Sequence, residues 1–325
     1  LMRAFQFKAV ASPREAISSG ADTAFIAGGT NLIDLMKLDV VAPARLVDLS
    51  PLSFRGITLD GTGLHIGALE KMADVAEDPR VVKEYPVISQ ALLKSASAQI
   101  RNMATMGGNL MQRTRCGYFR DAVSPCNKRV PGSGCPALEG ENRMHAIFGV
   151  SDSCCATHPS DLAVALVALE SVLKLQGPQG VREVKLEDFY LLPENTPDRE
   201  HDIRQGEMIT EIFVPRNAWT GRSGYLKIRD RESYEFALTS AAVALDLDGS
   251  TIRDARIAVG GVGTKPWSLP VVAEALKGKT ASRDVFAVAA EHATEGARTL
   301  SQNGFKVQLV KKTIVRALSE VGGVA

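Results

Sequence analysis

The chain has 325 residues, room for two or three domains at about 150 residues each. Its 45% hydrophobic and 23% charged residues are those of an ordinary folded α/β or α+β protein, not of a disordered, collagenous or coiled-coil one. Thirty-eight Lys and Arg against 37 Asp and Glu leave a net charge of +1, which gives no electrostatic footprint for a nucleic-acid backbone.

The longest apolar run, Leu162 to Leu175, is interrupted by Glu170 and Lys174 and falls short of the roughly 18 residues of a membrane helix. The opening Leu-Met-Arg-Ala-Phe-Gln-Phe-Lys has neither an apolar signal core nor a twin-arginine pair. A soluble chain without its own export signal is expected.

In chain order, Thr23 to Ala27 reads as a short buried strand, Gly28-Gly29-Thr30-Asn31 as a tight turn, and Leu32 to Leu38 as a helix with apolar residues at 32, 35, 36 and 38. A strand, a glycine turn and a helix N-terminus together favour an anion such as a diphosphate. The competing explanation is plain capping of the helix by Thr30 or Asn31. An amphipathic run from Val87 to Ala98 leads to Ile100-Arg-Asn-Met-Ala-Thr-Met-Gly-Gly-Asn-Leu110, where Gly107, Gly108 and Asn109 repeat the double-glycine theme. Two such turns suit the gripping of one diphosphate from both sides. Neither is a GxGxxG fingerprint or a P-loop.

All five cysteines, Cys116, Cys126, Cys135, Cys154 and Cys155, then fall within one stretch with the spacing C-x9-C-x8-C-x18-C-C. Disulfides, a structural zinc and an iron–sulfur cluster compete for them on spacing alone. The surroundings favour the cluster. Between Gln112 and His158 six basic residues face four acidic ones, a balance of +2 that compensates a negatively charged core. Gly132 and Gly134 supply a loop able to turn its amides toward sulfur. Cys154 and Cys155 are adjacent, so their side chains are expected to point apart and one of them to be a bystander.

Pro159-Ser160-Asp161 has the residue types that open helices, and a helix is expected from Leu162 to Leu175. Asp198 to Gly206 and Pro215 to Gly224 are polar, turn-rich stretches where one unit gives way to the next. Gly224 to Ile228 and Ser240 to Gly249 read as strands, Gly260-Gly261 as part of a hairpin or loop, and Val285 to Leu300 and Gln308 to Val321 as terminal helices.

Ala27 to Lys37 and Ile100 to Asn109 resemble the two FAD-binding motifs of the flavoprotein subunit of the xanthine dehydrogenase and molybdenum hydroxylase family. The cysteine stretch is similar to that of the medium subunits of bacterial aldehyde oxidoreductases, which carry FAD and a 4Fe-4S cluster. The likeness runs through Thr114-Arg-Cys116, Pro125 to Arg129, Pro131 to Cys135 and Ala156 to Asp161. It continues into Lys227 to Tyr234, Gly260-Gly-Val262 and Lys265-Pro-Trp267.

The resemblance implies an α+β fold: a two-lobed FAD-binding domain of the vanillyl-alcohol-oxidase type (1–56 and 57–218) with a 4Fe-4S insert at about 112–158, then a smaller α+β C-terminal domain (219–325). It implies that Ile26, Ala27, Gly28, Gly29, Thr30, Asn31, Leu32 and Ile33 bind the FAD diphosphate and ribityl chain. Ala104, Thr105, Gly107, Gly108 and Asn109 would hold the other side, Ser160 and Asp161 the ribityl and flavin region, and Lys227 the isoalloxazine ring. Cys116, Cys126, Cys135 and Cys154 match the four cluster ligands, and Cys155 has no counterpart.

The implied function is that of an electron-transfer subunit. Aldehyde would be oxidised at a molybdenum cofactor in a large partner, electrons would pass through 2Fe-2S clusters in a small partner, and FAD here would deliver them to an external electron acceptor. No substrate-oxidising residues are expected on this chain. The resemblance leans toward a periplasmic location reached together with an exported partner, with the cytoplasm as the alternative. A subunit of the 4-hydroxybenzoyl-CoA reductase type is the neighbouring alternative, and a non-redox zinc- and nucleotide-binding protein the one from another class.

Overall fold

The computed structural model describes residues 2–20 and 22–324. Three sheets follow one another along the chain. The first is a small parallel sheet in which Arg45–Asp48 lies between Gln6–Ala9 and Thr23–Ile26. Parallel neighbours need crossovers, supplied here by segments containing the helices Pro13–Ile17 and Leu32–Lys37.

The second sheet has five antiparallel strands in the order Ile57–Leu59, Gly63–Gly67, Met208–Pro215, Val172–Gly177, Gly180–Lys185. Its helices include Met72–Glu77, Pro86–Leu93, Ala98–Met103, Met106–Leu110 and Asp161–Ala168. The last of these has no exposed face and forms the centre of the largest core, with Leu162, Leu166, Ile212 and Val214.

The third sheet is antiparallel, Trp267–Ser268, Thr251–Gly260, Thr239–Asp248 and Ser223–Ile228. The helix Phe305–Gly322 packs on it through Val310, Ile314, Ala317 and Leu318. Trp267 pairs back onto Val259, so the third double glycine lies in a hairpin-like return, as expected. Gly261 takes φ +70° there.

Two expected helices are shorter than the sequence implies. Asp161–Ala168 stops before Glu170, which adopts φ +57°, and Val172–Gly177 continues as a strand with alternating burial. Val172-Leu-Lys-Leu carries a period-2 pattern that an apolar run without Gly or Pro hides. Likewise Arg283–Ala290 passes through a 3-10 turn, Glu291–Thr294, and ends before Gly296 at φ +74°. The expected helix Gln308 to Val321 lies within the longer Phe305–Gly322.

The cysteine-bearing stretch is mostly loop, with the short helix Gly117–Arg120 and the 3-10 turn Pro136–Leu138. It is nonetheless anchored on both sides. Phe119 and Cys126 share a small core with Leu35 and Val40 of the first lobe. At its far end Asn142 hydrogen-bonds the Ser301–Gln302 segment, and Ile147 and Phe148 donate backbone bonds to Val262.

Candidate cofactor sites

The two double-glycine motifs meet back to back. A Cβ on Gly28 would lie 2.1 Å from the Met103 carbonyl oxygen, so only glycine allows the loop after Thr23–Ile26 to reach the end of helix Ala98–Met103. Gly29 takes φ +72°, a conformation cheap for glycine alone.

Between the motifs lies a cavity of about 220 Å³ lined by Ile26, Ala27, Gly28, Gly29, Thr30, Asn31 and Leu32 from one side and Ala104, Thr105 and Gly108 from the other. Ile33 and Gly107 are set back: Ile33 packs beneath Gly29, and Gly107 is pressed against Ala68. Gly107 and Gly108 belong to the helix Met106–Leu110, where Thr105 Oγ1 accepts from the Gly108 amide at 3.2 Å. The second motif is therefore a capped helix start, not the second turn that its double glycine implied.

Asn31 does not cap its helix with its side chain. Its Oδ1 accepts from the Arg113 amide at 3.1 Å, while its Nδ2, buried, has no protein partner among the described residues. A buried donor left unpaired costs about 1–3 kcal/mol, so a ligand atom is the natural partner. The capping explanation fails for Asn31 and holds for Ser160, whose Oγ accepts from Ala163 N at 3.0 Å and is 2.5 Å from Asn109 Oδ1.

The cavity continues past Thr30, Asn31, Ala104 and Gly108 into a second one of about 210 Å³, whose floor is polar and buried. There Lys227 Nζ donates to Asp161 Oδ2 at 2.7 Å and to the Lys94 carbonyl at 3.1 Å. Tyr225 Oη donates to Asp161 Oδ1 at 2.6 Å, and Ser95 Oγ approaches Asp161 Oδ2 at 3.1 Å. Burial, then the neighbouring Asp161 charge, pushes the Tyr225 phenol well above its usual range, so it stays a donor.

Tyr225 and Ser95 escaped the sequence reading. Tyr225 was accessible to it, because it precedes Lys227 by two residues on a strand and shares its face. Arg115 and Phe236, 5.4 Å from guanidinium carbon to ring centre, also line this second cavity. Arg115 Nη1 and Arg120 Nη1 both bind Asp34 Oδ2 of the first lobe, at 2.9 and 2.6 Å. The hydrogen bond from Arg120 lowers the Asp34 carboxyl against the opposing effect of burial.

The cysteines gather beside the second cavity. Cys116 lies close enough to Cys126 and Cys154 to feel their charge, and Cys135 interacts with both Cys154 and Cys155. The Ala156 backbone amide points at the Cys154 sulfur, 3.5 Å away. Burial pushes the Cys116 thiol up to about 12. The contact with Cys135, followed by burial, raises Cys154 further. Bare thiolates are costly in this place, whereas thiolates bound to cationic metal are not.

Among the described residues no three His, Cys, Asp or Glu side chains converge as a single-ion site requires. Among the described residues no helix is long and apolar enough to cross a membrane.

Comparison with known proteins agrees with this geometry. Residues 2–217 match the family model of the FAD binding domain in molybdopterin dehydrogenase, and residues 224–321 that of the CO dehydrogenase flavoprotein C-terminal domain. The chain is 45% identical over 98% of both lengths to the aldehyde oxidoreductase FAD-binding subunit PaoB of Escherichia coli. It is 27% identical to the glyceraldehyde dehydrogenase medium chain of Sulfolobus acidocaldarius, covering 91% of this chain and 89% of that one. Among solved structures, quinoline 2-oxidoreductase from Pseudomonas putida superposes with a TM-score of 0.77 at 24% identity, covering 99% of this chain and 98% of the other. Carbon monoxide dehydrogenase from Hydrogenophaga pseudoflava gives 0.77 at 23%, covering 99% of both. These two likenesses concern the fold.

Proposed function

Because the chain belongs to the family of FAD-binding medium subunits of the molybdenum hydroxylases, we propose that it is the flavoprotein subunit of an aldehyde oxidoreductase that also carries a 4Fe-4S cluster. Electrons from aldehyde oxidation in a molybdenum-cofactor partner, relayed by a small 2Fe-2S partner, leave for an external acceptor through this chain. The observation that carries the reading is the continuous cavity that begins between the two glycine motifs and ends over the Lys227–Asp161 pair, with the unpaired Asn31 amide inside it.

FAD, when bound, supplies two-electron acceptance and one-electron release. The protein's part is to bind and orient. The amides of Ala27 to Asn31 offer donors to a diphosphate, and the Asn31 amide nitrogen gains its missing partner. Lys227, held by Asp161 and the Lys94 carbonyl, presents a buried cation to the polar edge of a ring system, and Arg115 a second cation at the same cavity.

The cluster assignment is supported by the proximity of the thiols to one another, by the Ala156 amide aimed at Cys154 and by the local excess of basic residues. Cys116, Cys126, Cys135 and Cys154 are the proposed ligands. Cys154 takes the fourth place over Cys155 because it neighbours Cys116 as well as Cys135.

The direct test is removal of flavin from the purified complex. Acceptor reduction should fall to background and return on adding FAD, while aldehyde still reduces the metal centres. A flavin-free complex that reduced its acceptor at the full rate would place the electron exit elsewhere.

A further inference from the structure

Outside the cavity, one contact in the cysteine stretch involves a side chain to which neither the sequence motifs nor the proposed ligand set assign a role. His145 Nε2 lies 3.2 Å from Cys116 Sγ. The residue is 7% exposed, and its Nδ1 is buried with no partner among the described residues.

Two neutral tautomers are available to such a ring. With the proton on Nδ1, a buried donor would be left without an acceptor and a nitrogen lone pair would face sulfur. With the proton on Nε2, the sulfur receives a hydrogen bond and only an acceptor is left unpaired. The second arrangement avoids the costlier orphan and gains a charge-assisted bond when the sulfur is a thiolate.

The ring is held there from the C-terminal domain. The His145 carbonyl accepts from Lys306 Nζ at 3.0 Å and from Asn303 Nδ2 at 3.3 Å, and its amide donates to Asn142 O at 3.0 Å. Lys306 is fully buried and also binds the Gly261 carbonyl at 2.7 Å. The start of the long terminal helix thus fixes the backbone from which the imidazole reaches Cys116.

We propose that His145 is a positioning residue that donates a hydrogen bond from Nε2 to the Cys116 sulfur and so raises the reduction potential of the 4Fe-4S cluster, an inference that rests on the cluster assignment above. Taking up one electron makes the cluster more negative, and a donor aimed at one of its thiolates stabilises that form more than the oxidised one. No proton is transferred in the step.

The test is a redox titration of the purified complex, followed by the EPR signal of the reduced four-iron cluster, with iron and flavin content measured on the same samples. His145→Leu, which removes the donor, should make reduction about tenfold less favourable, a midpoint lower by about 59 mV for one electron. His145→Gln, which keeps an N–H, should restore most of the difference.

An unchanged midpoint in His145→Leu at full iron content would overturn the inference and leave the cluster in place. A wild-type complex with no four-iron signal would overturn the cluster reading itself. If His145→Leu loses its iron, the deciding measurement is pulsed EPR on wild-type complex labelled with 15N-histidine. A nitrogen coupling to the reduced cluster that disappears in His145→Gln supports the hydrogen bond, and its absence in the wild type overturns it.

Discussion

Gly28 is the residue on which the flavin site depends most directly. Because a Cβ there would stand 2.1 Å from the Met103 carbonyl, Gly28→Ala must push the two motifs apart. It is expected to purify with flavin content reduced at least tenfold and iron content unchanged, measured by absorbance and metal analysis. Full flavin occupancy in this variant would show that the motifs need no close approach. The glycines and the Asn31 turn were legible in the sequence because backbone constraints are local, whereas Lys227 came only from the family resemblance. Ser95 was not legible, since its relevance arises only when the chain after helix Pro86–Leu93 is brought to Asp161, 66 positions away; Tyr225 was within reach through its strand spacing from Lys227 but was passed over.

The cysteine stretch holds its shape with little regular structure, so single side chains do the work that ladders do elsewhere. The Arg129 guanidinium donates to the carbonyls of Tyr118 at 3.0 Å and Phe119 at 2.7 Å and to those of Ala122 and Ser124. It thereby satisfies the C-terminal end of helix Gly117–Arg120. Arg129→Met removes all these donors at about 1–3 kcal/mol for each carbonyl left buried and unpaired. Loss of at least half of the iron with flavin retained is the expected result of metal and flavin analysis; full iron retention would mean that the loop is held by other contacts. The sequence marked this stretch through its cysteines and basic residues. It missed the break at Glu170 because nothing in Leu169-Glu-Ser-Val172 punctuates the chain as glycine or proline would.

Across the whole molecule, the stretch is wedged between the other parts, so its stability is shared with theirs. Partly buried Glu200 pairs with Arg113 at 2.5 Å and with Lys128 at 3.1 Å. Burial opposes its ionisation, but Lys128 and Arg113 outweigh burial and lower its carboxyl. Beside this group, His158 and His201 pack on Tyr190 and Phe189. Burial holds their imidazoles at about 3 and about 4, against 6.5 when exposed.

Both folded values lie below the unfolded one, so the unfolded chain binds more protons between about pH 4 and 6.5. The stabilisation is therefore complete above pH 6.5 and is lost as pH falls through that window. The Tm of the complex should drop by several degrees from pH 6.5 to pH 4.5, at about 2–4 °C for each kcal/mol lost, and less in His201→Phe. A Tm that stays level across this range would contradict the burial of these rings. Of the two turn-rich stretches expected to separate units, Asp198 to Gly206 lies within the second one, because Met208–Pro215 beyond it is a central strand of the second sheet, whereas Pro215 to Gly224 leads from that sheet to the third. The anchoring of the cysteine loop on Ser301 to Lys306 was not legible in the sequence, because it joins residues some 160 positions apart through side-chain bonds that leave no local pattern.

The central claim is that one chain houses both a flavin and a four-iron cluster. Iron, acid-labile sulfide, zinc and flavin should be measured on anaerobically purified wild type and on a variant with Cys116, Cys126, Cys135 and Cys154 all replaced by Ser. The wild type should hold about four iron, about four sulfide and about one FAD per chain in excess of what its partner subunits carry, as one four-thiolate cluster requires. The variant should lose that iron and sulfide together. Zinc in place of iron, or iron content that does not change when the four cysteines are removed, would contradict the account.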